Sequence, residues 1–256
     1  MKSKSGKNAL VFDEKSHRYI LNSEPVPGVT SILKESSPGS PQLEAWKINQ
    51  SLNALVERIK SVPLPVAEWP KAFWEEAVKY AKSAWRSTAK KAADIGSIVH
   101  DYCESIEGGK TFDLSIIETH PDKEKIKTCI EKFEAWRKLN GDTIMAQEGI
   151  VASVDQGYAG KFDRLAKRGD KVVLSDFKTS GRIYPEYWVQ LAAYVIAIEE
   201  WLGINVDIIE IIRIGKEDGA FEAVQISDPI DIIELREQFI RQLETYAFFK
   251  EKNRAN

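Results

Sequence analysis

The stretch that decides the reading runs from Tyr158 to Lys178. It comprises Tyr158-Ala159-Gly160-Lys161-Phe162-Asp163, a turn at Arg168-Gly169-Asp170, and Lys171-Val172-Val173-Leu174-Ser175-Asp176-Phe177-Lys178. Val172, Val173 and Leu174 in succession, bounded upstream by Gly-Asp, predict a strand buried on both faces. Side chains alternate along a strand, so Asp176 and Lys178 share one face and Phe177 takes the other. Isolated charges on a core strand are costly, so these are paired or hold a metal. One reading makes Asp176 and Lys178 an internal ion pair, with Asp163 on a solvated neighbouring strand. The other joins Asp163 and Asp176 across paired strands as carboxylates that repel each other unless a divalent cation lies between them. Oxygen ligands of this kind suit Mg²⁺ or Mn²⁺. Lys178 would then orient a water or stabilise charge on a phosphate oxygen.

Asp163, Asp176 and Lys178 match the PD-(D/E)XK nuclease pattern. Ser175-Asp176-Phe177-Lys178-Thr179-Ser180, followed by Gln190-Leu191-Ala192-Ala193-Tyr194, resembles its RecB-type exonuclease branch, as does Gly96-Ser97-Ile98-Val99-His100 upstream, a G-x-x-x-H motif. The match covers roughly residues 94 to 200. A weaker likeness at His17-Arg18-Tyr19 and Val29-Thr30-Ser31-Ile32-Leu33 is to phage and mitochondrial exonucleases of that branch. The resemblance implies an α/β fold, with a mixed central sheet flanked by helices (a restriction-endonuclease-like core), and a helical lobe before it. It implies a Mg²⁺ or Mn²⁺ site formed by His100, Asp163, Asp176 and the Phe177 carbonyl, with Asp163, Asp176 and Lys178 catalytic. Gln190 and Tyr194, with Thr179 or Ser180, would fix the substrate strand. The implied activity is a metal-dependent DNA exonuclease acting on single-stranded DNA or single-stranded ends, in the cytoplasm of a bacterial or phage-infected host cell. A structure-selective endonuclease and a non-catalytic nucleic-acid-binding module on the same fold remain open alternatives.

Around that stretch, helical and strand periods divide the chain. Phe12 to Leu21 reads as a strand entering a hairpin turn at Asn22-Ser23-Glu24, ended by Pro25 and Pro27. Ser36 to Pro41 is a loop by composition, and Ser61 to Pro70 a proline-rich connector. Between them Ala45, Ile48, Leu52, Leu55 and Ile59 predict a helix from Gln42 to Lys60 with a buried stripe. In Lys71 to Lys91, Trp74, Val78, Ala81 and Trp85 should face inward, and Lys79, Lys82, Arg86 and Lys90 form a basic stripe. Six bases stand against two acids there, which suits a phosphate backbone more than the whole chain's net charge of −3 does. Asp94 caps or continues a helix reaching about Glu107, which carries Gly96, His100 and Glu104 on one face, Glu104 being a candidate behind the ligands. Gly108-Gly109 stops it. His120-Pro121-Asp122 opens a helix to about Leu139, with Ile126, Ile130, Phe133 and Trp136 apolar.

Strands are expected over Thr143 to Val154 and Gly157 to Lys167, with Glu148 either a further carboxylate of the site or a surface residue. Pro185 to Leu202 is a helix with Gln190 and Tyr194 one turn apart. A second hairpin turns at Lys216-Glu217-Asp218-Gly219, and Asp228-Pro229 opens a closing helix. The domains expected are residues 1–93, a hairpin and DNA-guiding helical lobe, and 94–256, the nuclease core.

Composition excludes several classes. Hydrophobic content of 43% with 29% charged residues is that of a globular chain. No apolar run approaches the roughly 20 residues a membrane span needs, and residues 1–8 lack a signal-peptide core, so an intracellular protein without membrane contacts is expected. Two cysteines, Cys103 and Cys129, make no disulfide framework and cannot supply the four ligands of the iron-sulfur cluster some relatives hold, so no cluster is expected.

Overall fold

A computed structural model describes residues 3–4, 6–37, 41–62, 70–217 and 219–254. In chain order, β1 (Leu10–Asp13), β2 (Arg18–Leu21) and β3 (Glu24–Val26) lead into α1 (Val29–Ser36), α2 (Pro41–Lys60) and α3 (Lys71–Glu107). Next come α4 (Ser115–Glu118), α5 (Lys123–Asn140), β4 (Thr143–Ser153), β5 (Tyr158–Arg168) and β6 (Lys171–Lys178). The chain closes with α6 (Pro185–Leu202), β7 (Ile208–Ile214), β8 (Phe221–Ile226) and α7 (Pro229–Arg254). Residues 38–40 of the loop expected at 36–41, 63–69 of the connector at 61–70, and Asp218 of the last turn lie outside the described residues, as do Met1, Lys2 and Ser5.

The central sheet has the order β4-β5-β6-β7-β8. Its pairs are antiparallel except β6 with β7, which run parallel through the α6 crossover that parallel pairing demands. This is the mixed α/β fold, helix-flanked, that the sequence predicts. The middle strands carry the apolar runs: β7 is buried along its whole length, and Val173 and Leu174 of β6 are fully buried. Helix α6 packs between the sheet and α1 and α7, and Leu191 to Val195, Ala197, Ile198 and Trp201 are all buried. A helix apolar on nearly every side belongs inside a core. Pro185 opens it, and Gly203, at φ +68°, ends it. On the opposite face α5 sets Phe133 edge-on against Phe177, ring centroids 5.8 Å apart.

Two compact units emerge, residues 1–37 with 98–256, and 38–97. They differ from the expected single boundary at 93/94, because the N-terminal strands and α1 pack into the first unit: Val29 and Ile32 are buried in its core, and the Ala159 N–H donates to Pro27 O at 3.0 Å. The second boundary falls inside α3, where Asp94 continues the helix and does not cap a new one; no proline interrupts Lys71–Glu107, and the helix runs on to Gly108 and Gly109. Other departures are local. Pro25 lies within β3, opposite Ile20, on an edge strand where the missing N–H costs no ladder bond. In the 38–97 unit the stripe expected on α2 is not buried: Ala45, Ile48 and Leu52 are exposed and Leu55 and Ile59 half-buried. On the α3 segment of that unit Ala77 and Ala81 are buried and Trp74 and Trp85 half-buried, while Val78 is exposed. No described helix is long and apolar enough to cross a membrane.

Candidate functional site

Strand register builds the site. Arg164 pairs with Ser175, so one step further along β5 and β6 Asp163 and Asp176 come level where the ladder ends. The Phe177 N–H donates to Asp163 Oδ2 at 2.9 Å, fixing that carboxylate on the neighbouring strand. The His100 ring, from the last turns of α3, meets the same oxygen with Nε2 at 3.1 Å and packs edge-on against Phe177, centroids 6.1 Å apart. Gly96 lies one turn before it on the helix. Lys178, on the same face of β6 as Asp176, ion-pairs with Asp176 Oδ2. Lys178 Nζ also donates to Gln190 Oε1 at 3.2 Å, and Gln190 Nε2 donates to the Tyr194 hydroxyl at 3.1 Å. Helix α6 thus steadies the lysine.

Gly160 lets this arrangement close. A Cβ there would stand 2.5 Å from Tyr194 Cε1 and 3.0 Å from Val29 Cγ2, so the Tyr194 ring lies directly on the β5 backbone.

His100, Asp163, Asp176, Lys178, Gln190 and Tyr194 are therefore neighbours in space. Thr179 and Ser180 follow β6 half-buried; Ser180 Oγ donates to Arg182 O at 2.7 Å, and Ser180 O accepts from Arg213. The Phe177 group seen touching the site is its N–H. Among the described residues, two groups offer ligand atoms within 4.8 Å of one another: His100, Glu148 and Asp163, and His100, Asp101 and Glu104. Asp176 is in neither group, since no oxygen of its carboxylate lies within that distance of both other members, and it ion-pairs with Lys178 instead. Glu148 faces the site from β4, with Oε1 at 3.7 Å from His100 Nε2 and the other oxygen paired with Lys161.

The charges set one another. Burial pulls the His100 pKa down, but the hydrogen bond and charge of Asp163, with Glu148 and Asp176, outweigh it and raise the value to about 9. Burial pushes Asp163 up, and His100, Lys178 and the Phe177 N–H prevail to hold it below the usual carboxylate range. Asp176 rises to about 6, chiefly through burial, with Asp163 adding to it against the pull of Lys178. Burial would discharge Lys178, yet Asp176 and Asp163 raise its pKa. His100, Lys178 and Lys161 thus face the carboxyl groups of Asp163, Asp176 and Glu148.

Imidazole nitrogen with carboxylate oxygens is a donor set for a hard or borderline divalent cation. Glu148 Oε1, fully shielded and accepting no hydrogen bond, offers a further oxygen 3.7 Å from His100 Nε2. The residues fit a divalent cation.

Sequence reasoning passed over Lys161 and Tyr187. Lys161 stands two residues before Asp163 on β5, a spacing that puts both on one face. Tyr187 precedes Gln190 by three residues on α6, and its ring lies 4.9 Å beneath Lys178 Nζ. Behind the sheet is a separate buried network that the sequence did not announce. Arg164 donates to Glu107 at 2.8 Å and to Asp142 at 2.9 Å, and Arg168 joins Asp142 to Glu210.

No protein-family model and no curated relative matches the chain. Among solved structures it is similar to a putative exonuclease from Eubacterium rectale, at 13% identity over 60% of this chain and 68% of that one, with a TM-score of 0.39. It is also similar to an alkaline exonuclease, LHK-Exo, from Laribacter hongkongensis, at 13% identity over 60% and 84%, TM-score 0.31. LHK-Exo in complex with dAMP gives 15% identity over 60% and 85%, TM-score 0.32. Scores of this size assign neither fold nor activity to this chain.

Proposed function

We propose that this chain is a divalent-metal-dependent deoxyribonuclease of the RecB-type PD-(D/E)XK kind, acting as an exonuclease on single-stranded DNA or single-stranded ends. The observation that carries the reading is the convergence of His100 from α3 and Asp163 from β5 beside the Asp176–Lys178 pair of β6. When bound, Mg²⁺ or Mn²⁺ supplies Lewis acidity toward a phosphate oxygen and a water. His100, Asp163 and Asp176 would hold it, with the Phe177 carbonyl. Asp163 and its neighbours raise the His100 pKa to about 9, and the ring would hold a cation only as the neutral imidazole.

Asp176 and Asp163 raise the Lys178 pKa against burial, which supports its ammonium as an electrostatic partner for the charge gathering on the phosphate. Gln190 orients that ammonium through Oε1 and is itself held by Tyr194. Thr179 and Ser180, at the end of β6, would steady the substrate strand. In the 38–97 unit, Lys79, Lys82, Arg86 and Lys90 form an exposed row along one face of α3, and Lys79, Lys82 and Arg86 line a groove with Trp74. That row supports a guiding role for a phosphate backbone.

The test is digestion of end-labelled DNA, linear and circular, with Mn²⁺, Mg²⁺ or EDTA. Linear single strands should be shortened with either ion and left whole in EDTA, and circles should survive. Cleaved circles would establish the endonuclease alternative. DNA affinity without metal-dependent product would establish the binding module. Asp176→Ala and Lys178→Ala should each remove at least about 10³-fold of the rate, and normal cleavage by Asp176→Ala would refute the assignment.

A further inference from the structure

Glu148 occupies a backbone conformation that a glutamate adopts only at a cost. Its φ is +48°, left-handed, in the middle of β4, a conformation that side chains with a Cβ rarely adopt. The flanking pairs, Gln147 with Arg164 and Gly149 with Phe162, put it level with Asp163. The twist delivers its carboxylate to His100 and Asp163, with Oε1 shielded and free of hydrogen bonds and the other oxygen on Lys161. A simple surface ion pair would not require that backbone, nor leave one oxygen shielded beside an imidazole. The two partners also differ in freedom. The Glu148 side chain is 16% exposed and Lys161 39%, so the ammonium can withdraw into water while the carboxylate stays.

We infer that Glu148 is a cation ligand of this site and that Lys161 is its counter-ion in the ion-free chain, a divalent cation and the Lys161 ammonium competing for the same carboxylate. This rests on the reading of His100 and Asp163 as a metal site. It adds one anionic ligand from β4 and a lysine that tunes affinity, making metal loading the event that releases Lys161 from Glu148 into water.

Mn²⁺ titration followed by the electron paramagnetic resonance signal of the free ion reads binding without reference to activity. The full chain is compared with Glu148→Gln, Lys161→Met, the double variant and Asp163→Asn, with folding followed by circular dichroism. Glu148→Gln should weaken Mn²⁺ binding at least ~10-fold, since ligand charge sets affinity in such sites, and Lys161→Met should tighten it several-fold. In the double variant the gain from Lys161→Met should vanish, because no carboxylate remains to compete for. An equal gain in both backgrounds would mean that Lys161 acts through charge alone, and would overturn the competition. Lys161→Met without tightening would overturn it too, and needs no substitution at Glu148 if Glu148→Gln fails to fold. Loss of binding in Asp163→Asn with Glu148→Gln unchanged refutes the Glu148 assignment alone; no Mn²⁺ binding by the unaltered chain refutes the metal site, and the nuclease reading with it.

Discussion

Replacing His100 with glutamine should change not only how stable the metal-free chain is but how that stability responds to pH. The group's pKa rises from 6.5 to about 9 on folding because Asp163, Glu148 and Asp176 surround it. A raised value means that the folded state holds the proton more tightly. The stabilisation is therefore complete below pH 6.5 and is lost as pH rises through about 9. At about 1.4 kcal/mol per pKa unit the full shift corresponds to about 3 kcal/mol, and part exposure of the ring, 28%, lowers the expectation to about 2 kcal/mol. For a chain of this size that is a difference of roughly 4–8 °C in melting temperature.

Urea unfolding in EDTA across pH 6 to 10 measures it. The unaltered chain should exceed His100→Gln most at pH 6 to 6.5, and the gap should narrow toward pH 9.5 by about 2 kcal/mol. A gap constant across that range would refute the claim that an imidazolium held by these carboxylates is part of the ion-free site. A gap that widens with pH would mean that His100 is buried neutral.

Gly160→Ala puts a Cβ against the Tyr194 ring and Val29, and should cost about 1–3 kcal/mol by chemical denaturation. The displaced Tyr194 hydroxyl loosens Gln190, so its kcat on DNA should fall further than its KM rises. Arg164→Met leaves the Glu107 and Asp142 carboxylates buried without their guanidinium and should destabilise by about 3–5 kcal/mol, with Mn²⁺ affinity in the folded fraction unchanged. Tyr187→Leu removes the ring beneath Lys178 and should lower kcat by about 3- to 10-fold, matching an interaction of about 1 kcal/mol, while melting temperature moves little.

What the sequence determined by itself was local. Val172 to Leu174 announce a buried strand, Pro185 opens a helix that puts Gln190 and Tyr194 one turn apart, and the two-residue step from Asp176 to Lys178 puts both on one face. These are matters of period and of which backbone angles a residue permits, and neighbours in the chain suffice to decide them. Tertiary structure decided the rest. Whether a stripe is buried depends on what packs against it, and so the pattern Ile48, Leu52 misled while Ala77 and Ala81 are the residues covered. That Val29 to Ser36 is a helix was not legible in eight residues, since its stability comes from burying Val29 and Ile32 in the core of the sheet unit. The site itself shows the same division. Its motif residues can be picked out along the chain, but the pairing of Glu148 with Lys161 and the level meeting of Asp163 and Asp176 are set by strand register and by one left-handed residue. Charges respond to distance in space, which separation along the chain does not encode.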